Sequence, residues 1–407
     1  MIDHIVTIGG DSDISNSVVS IEVVDQIDTS SDPGKIKVVL ANRPSIMAQV
    51  ASWKPQTTPI EIILKNWVYG SGQDYEYSEY AYSRYAKKSE ESYLVAYGHL
   101  VGISRSNPSP SEITVLAECD LGHLADALGP GPKSAVVYGP QQRDSPDFKS
   151  GTFKGWTHEV LPRVLALHKS LDITLHYQAR TIEYAKEKNY NSETTFQEVL
   201  EDLAADVGAV YYFDEDGILQ FRDPRAIRSD APIVLDPYVL NPNDMDSIVG
   251  HRNRVTVIGD QTLADGEMGR ESPGSEPLMY TAEDQDSIDE YGVLEAPTDR
   301  AIWLGSMDKV QERAELLLNF YKMFENATTS PVVAGIVPPL HSLVSYDVFL
   351  PIDGSTPTKA TVSGIVIARN ITYDITGLKT ELTISPGALD METEVGQSEI
   401  REFTVDI

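Results

Sequence analysis

Residues 194–224 read TTFQEVLEDLAADVGAVYYFDEDGILQFRDP. Thr195 and Glu198 have the S/T-x-x-E spacing of a capping box, which marks a helix start. Phe196, Val199, Leu200, Leu203, Ala204 and Val207 then form one apolar stripe at helical spacing, and Gly208 stops the helix. AVYYF and ILQF flank DEDG, which predicts a hairpin with Gly217 at the turn. Helix, strand, turn and strand together predict a small α/β domain, residues 146–237.

On the N-terminal side the chain reads as β. Val19, Ile21 and Val23 in SVVSIEVVDQI share one face at period two, SSDPG supplies a turn, and KIKVVLAN returns. PIEIILKNW, YLVAYGHLVGISRS and SEITVLAECD complete a first β-rich unit, residues 1–145. LGPGPKSAVVYGPQQRDSPDFKSG, rich in Pro, Gly and Ser, reads as a linker or irregular boundary. Val160, Leu161, Val164, Leu165 and Leu167 predict a helix with Pro162 in its first turn, and DITLHYQ a short strand.

Beyond the α/β domain, β character returns over 238–390. RNRVTVIGD is a strand. A helix over 306–325 puts Val310, Ala314, Leu317, Leu318 and Tyr321 on one side, and further strands follow. The tail 391–407 ends in IREFTVDI, which reads as a free strand. SVVSIEVVDQIDTSSDPGKIKVVLAN (17–42) and ATVSGIVIARNITYDITGLKTELTIS (360–385) share a strand–turn–strand layout, the pattern of a duplicated barrel.

Composition narrows the function. The 407 residues carry 62 acidic against 32 basic side chains, net −30, so the surface repels nucleic acid and anionic membranes. The acids are diffuse. That fits a salt-rich cytoplasm that screens self-repulsion, or a surface that does not hold DNA, and the two are compatible. No apolar run reaches the length of a membrane span, and MIDHIVTIGGDSD lacks the pattern of a signal peptide, so a soluble, non-exported protein is expected. Cys119 is the single cysteine, which excludes an internal disulfide and multi-cysteine metal sites.

No residue set reads as a catalytic centre. DEDG (214–217) lacks the rest of a calcium loop and reads as a turn, as do Asp11 and Asp13 in GGDSDIS. His158 and His168 fit no zinc spacing. His99, His123 and Cys119 are near in sequence but carry no nucleophile signature. There is no P-loop and no G-x-S-x-G elbow. No catalytic residue, metal or cofactor is expected.

Four segments, taken in order, resemble the baseplate hub and tail-tip hub proteins of tailed viruses, the late-control and central-hub family. They are the opening 17–42, the module 194–224, NRVTVIGD as the return into the second β-rich unit, and DQDSIDEYGVLE with Ser287, Ile288, Tyr291 and Gly292, followed by a helix from Ser306. The likeness spans nearly the whole chain. It implies a mainly β fold with an α/β insertion: two tube-type β-barrel domains plus the small α/β domain, in a ring-forming homotrimer. Six barrels in a ring would join a sixfold tail tube to a threefold tip and line the DNA exit channel. Expected partners are the chain itself, the tail tube or distal tail protein, the tape-measure protein and other tip or fibre proteins, with DNA only in transit. The location implied is the virion tail tip, assembled in the host cytoplasm. Added to the acidity, the resemblance suggests a virus of a halophilic archaeon.

One segment departs from the family pattern. DYEYSEYAYSRYAKKSEESY (74–93) holds six tyrosines in a connection, 70–93, that is usually shorter. Tyr75, Tyr77, Tyr80, Tyr82 and Tyr85 are candidate interface residues of an arm, since tyrosine suits contacts that are apolar in the body and wet at the tip. A loop folded on its own barrel and a carbohydrate platform are the other readings. At the level of the whole protein, a glycan-binding or glycan-cleaving tail protein and a non-viral adhesin remain open alternatives.

Overall fold

The computed structural model describes residues 3–9, 12–27, 34–55, 57–65, 92–105, 112–119, 135–138, 152–154, 157–166, 173–182, 188–190, 195–214, 217–224, 226, 232–235, 239–241, 246–247, 251–259, 277–301, 304, 306–322, 327–350, 358–385 and 401–406. The Tyr-rich arm lies outside them.

The chain is mainly β. Its first part contributes β1 (Asp3–Ile8), β2 (Ser12–Asp13), β3 (Val18–Gln26), β4 (Lys35–Ala41), helix α1 (Pro44–Val50), β5 (Pro59–Lys65), β6 (Ser92–Arg105) and β7 (Glu112–Glu118). The middle adds β8 (Ala135–Tyr138), β9 (Thr152–Lys154), α2 (Thr157–Leu165), β10 (Thr174–Ala179), β11 (Lys188–Tyr190), α3 (Phe196–Val207), β12 (Val210–Phe213) and β13 (Ile218–Arg222). Next come β14 (Ile233–Val234), β15 (Val239–Asn241), β16 (Asp246–Ser247), β17 (Arg254–Ile258), β18 (Met279–Glu283), α4 (Gln285–Tyr291), β19 (Asp299–Arg300) and α5 (Met307–Lys322). The chain finishes with β20 (Ala327–Ala334), β21 (Leu343–Leu350), β22 (Thr358–Asp374), β23 (Gly377–Ser385) and β24 (Arg401–Asp406).

The two β-rich ends were expected as separate barrels. They share one 14-stranded sheet, whose main path runs β15-β20-β23-β22-β3-β4-β7-β6-β5-β1-β2. β22 joins them, pairing with β21 and β23 on the late side and with β3 from Ala368↔Gln26 to Tyr373↔Ile21. The two look-alike hairpins therefore stand side by side. No ladder closes a barrel among the described residues. The sheet nonetheless curls at each end around its own core. Val6, Val23, Val38, Ile62, Val115 and Ile371 belong to the first, and Ile233, Val333, Val344, Ile365 and Leu382 to the second. In the first half the curl brings β1 back to β22 by side chains: the His4 ring lies 4.6 Å from that of Tyr373.

The α/β module forms where its sequence pattern places it. Thr195 Oγ1 accepts from the Glu198 N–H at 3.1 Å, and the Glu198 carboxylate accepts from the Thr195 N–H at 2.6 Å. Gly208, at φ 65°, ends α3 in the left-handed conformation that glycine adopts without strain. β12 and β13 form the expected hairpin, and β10 lies parallel to β13. Val160, Leu161 and Val164 of α2 pack with Phe196, Leu200 and Leu203 of α3 in one core.

Several local expectations change. Pro162 sits in the second turn of α2, not the first. The Pro/Gly/Ser-rich stretch contains β8, which belongs to the three-stranded sheet β11-β8-β9. NRVTVIGD does not lead into the large sheet. β17 is the centre of a separate sheet, β18-β17-β19, covered by α5. The C-terminal strand is not free: β24 pairs with β10 along its whole length. No described helix is long and apolar enough to cross a membrane.

Candidate assembly surface

Three buried arginines pair with aspartates, two of them between parts of the chain and one within the module. Arg369 of β22 faces Asp25 of β3, with Nη2 and Nε donating to the same carboxylate oxygen at 2.9 and 3.1 Å. Its Nη1 also donates to the Pro338 carbonyl at 3.2 Å, so one guanidinium ties both halves of the sheet. Gly34 makes room for this pair, because a Cβ there would stand 2.6 Å from the Asp25 carboxylate. Arg313 of α5 binds Asp206 of α3 and Asp299 of β19. Burial lowers the proton affinity of Arg313, but Asp206 and Asp299 outweigh it and hold the pKa above its ordinary value. Within the module, Arg180 lies 3.5 Å from Asp223 with both side chains 4% exposed. The module also meets the second core at His341, a non-glycine residue at φ 60° whose Nε2 is 2.8 Å from the Pro224 carbonyl.

The S-I-x-x-Y-G segment has a structural job. His251 Nε2 lies 2.8 Å from Ser287 Oγ, and His251 Nδ1 lies 3.2 Å from the Tyr321 carbonyl. Asn253 Nδ2 donates to the Gly292 carbonyl at 2.7 Å, and its Oδ1 accepts from the Leu294 N–H at 2.7 Å. The Tyr291 ring stands edge-on to His251. Asp284 caps α4 and pairs with Lys322 at 2.9 Å. Burial raises the Asp284 pKa, but the Lys322 and Ser287 hydrogen bonds outweigh it and leave the carboxyl below its ordinary range. A Ser–His pair of this geometry is a nucleophile when substrate can reach it. Here Ser287 is 3% exposed and His251 is fully buried, so the cluster locks α4 to β17 and the end of α5.

The remaining sequence candidates fall into place as structure. Asp214 accepts from the Ile218 N–H and Gln220 Nε2, both at 2.9 Å, so its carboxylate serves the hairpin. Asp13 accepts from the Ser15 N–H at 3.0 Å. Cys119 is half-buried against the module core. His99 edges onto Tyr97 at 5.6 Å. No group of three or more His, Cys, Asp or Glu able to hold a metal occurs among the described residues. Asp11, His123 and His168 lie outside them.

Tyr75, Tyr77, Tyr80, Tyr82 and Tyr85 also lie outside the described residues, but the point from which their segment departs is defined. β5 and β6 pair as far as Lys65↔Ser92, so residues 66–91 leave and return at one place. Asp3 pairs with Lys65 and His4 with Leu64, which sets that place at the His4–Tyr373 end of the sheet. The β22–β23 turn follows directly. Asp374 accepts from the Thr376 N–H and hydroxyl at 2.6 Å, and Ile375 stands 97% exposed. Tyr373, two residues before Ile375, pairs with Ile21, and Val19, two residues before Ile21, is another exposed apolar side chain. The exposed Ile375 and the root of the Tyr-rich segment thus lie toward one end of the large sheet. Sequence reading missed Ile375, since one isoleucine in a polar turn has no pattern of its own.

No protein-family model and no curated protein sequence matches this chain. Solved structures do match its fold. The 43 kDa tail protein of prophage MuSo2 from Shewanella oneidensis aligns over 96% of this chain and 99% of that one, with 13% identity and a TM-score of 0.56. The tail protein from Neisseria meningitidis MC58 aligns over 96% and 97%, with 12% identity and a TM-score of 0.58. The fold is shared with tail proteins. Both matches run nearly end to end.

Proposed function

We propose that this chain is a structural, non-enzymatic virion protein: the hub of a viral tail tip, assembling as a homotrimeric ring. The observation that carries the reading is the end-to-end fold likeness to two tail proteins. In this reading the β-rich units 1–145 and 238–390 act as six tube-type elements per ring around the modules 146–237. The ring joins a sixfold tube to a threefold tip, and its acidic surface keeps passing DNA from adhering. Its neighbours are the tail tube or distal tail protein, the tape-measure protein and other tip or fibre proteins. It is assembled in the host cytoplasm, and the diffuse acidity fits a halophilic archaeal host.

The Tyr-rich segment is an arm that reaches a neighbouring tail protein from the end of the sheet that also presents Ile375. The mass of the purified protein in high salt tests the ring, and a trimer is expected. A monomer at every salt and protein concentration removes this reading. Replacing Tyr77, Tyr80 and Tyr82 by serine tests the arm: the variant folds but loses attachment, by about 1–3 kcal/mol for each true anchor. A variant that assembles normally shows that the arm has no partner.

A further inference from the structure

β24 fills an edge that β10 cannot leave open. Tyr177 of β10 is fully buried, with its ring stacked between Phe221 of β13 and Phe403 of β24, 5.2 Å from each. Its hydroxyl donates to the Arg180 carbonyl at 2.5 Å. Without β24, one face of that ring and the backbone groups of a bare strand edge would meet water. The slot is also selective. Six residue pairs run from Thr174↔Asp406 to Ala179↔Arg401. Thr174 Oγ1 donates to the Asp406 carboxylate at 2.8 Å, and His176 Nε2 lies 3.7 Å from Glu402.

The strand that fills the slot comes from far away in the chain. β23 ends at Ser385 in the large sheet and β24 begins at Arg401. The residues between them could span up to about 50 Å if extended, so the covalent link does not by itself fix which copy's slot β24 enters. Exchange of an identical strand between copies keeps every contact of the slot. It also suits a chain of net −30, because backbone bonds and stacked rings need no charge complementarity to bind two mutually repelling copies. We propose that the β10 edge is a strand-acceptor site, filled in the assembled protein by residues 401–406 of a second copy. The proposal rests on the ring reading only in requiring copies to sit side by side.

Paired cysteines test it. With Cys119→Ser as background, one tagged copy carries His176→Cys and a second carries Thr404→Cys. The two are co-expressed, oxidised and run without reductant. Since 176 and 404 are register partners, a disulfide between the differently tagged chains forms only if the strand is exchanged. The expected result is a linked pair that disappears on reduction, and Gln178→Cys with Glu402→Cys repeats it at a second position. A chain carrying both cysteines is the control. If it closes on itself while the mixture gives no link, the strand stays at home and the inference falls. If neither links at either position, β24 does not occupy β10 and the inference also falls. Mass measured on the same samples keeps the two readings apart. A trimer without links preserves the ring and sinks the exchange; links without a trimer do the reverse.

Discussion

Replacing Arg313 by methionine should loosen the seam between α3 and α5 more than the loss of one surface charge would. The guanidinium is 5% exposed and Asp206 is fully buried, so the substitution removes the buried cation that Asp206 and Asp299 share. Removing one partner of a buried pair costs about 3–5 kcal/mol. Apolar packing offsets little of this, although Leu316 lies close enough that a Cβ on Gly208 would touch its Cδ2 at 3.3 Å. Amide hydrogen exchange read peptide by peptide can resolve the seam. At about 1.4 kcal/mol per decade, protection over α3 and α5 should fall by about 10²–10⁴-fold, with the large sheet unchanged. Asp206→Leu combined with Arg313→Met should recover most of the loss, because a well-packed apolar pair can replace a buried ion pair. Exchange within a few-fold of the parent in the single variant, or no recovery in the double, would refute the reasoning.

Three further outcomes follow from the same structure. Stability should rise in multimolar KCl, because salt screens the repulsion of a net −30 chain; equal melting temperatures in low and high salt would remove the salt-adapted reading. Burial depresses the His158 imidazole below its ordinary 6.5, with Glu159 opposing and Arg401 adding to the shift. The unfolded chain then takes up that proton first, so stability is whole above pH 6.5 and falls as pH drops below it. His158→Gln should flatten that part of a melting-temperature profile, and parallel profiles would contradict the assignment. Thr195→Ala should cost about 1 kcal/mol by removing the α3 cap, measured by exchange across its first turn.

What could be read in the sequence was local. The cap at Thr195, the stripe on α3 and the turn at Gly217 each fit within a few residues and formed as read, whereas β3 buries Ile21 and Val23 but leaves Val19 exposed beside a register shift on β4. The missing links are long-range. Nothing near Arg369 announces Asp25, and a strand read from REFTVDI carries no sign that its Phe403 completes a ring stack on Tyr177. β8 was hidden by the Pro and Gly around it, which signal a break even though AVVY itself is a good strand sequence. The ladder between β22 and β3 had the same difficulty: hairpin likeness shows two similar units, not that they lie edge to edge.

β22 also sets how the molecule can yield under load. It is laddered to β21, β23 and β3, so it runs as one spar through both cores. Sliding it by one residue would turn Ile365, Ile371 and their alternating neighbours out of those cores. Hinging at the β3 junction would have to tear the Arg369–Asp25 clamp. A sheet braced in this way moves as one stiff body. In the proposed ring, any widening of the bore would then have to open at the seams between copies, like the staves of a cask, and not by bending within the large sheet.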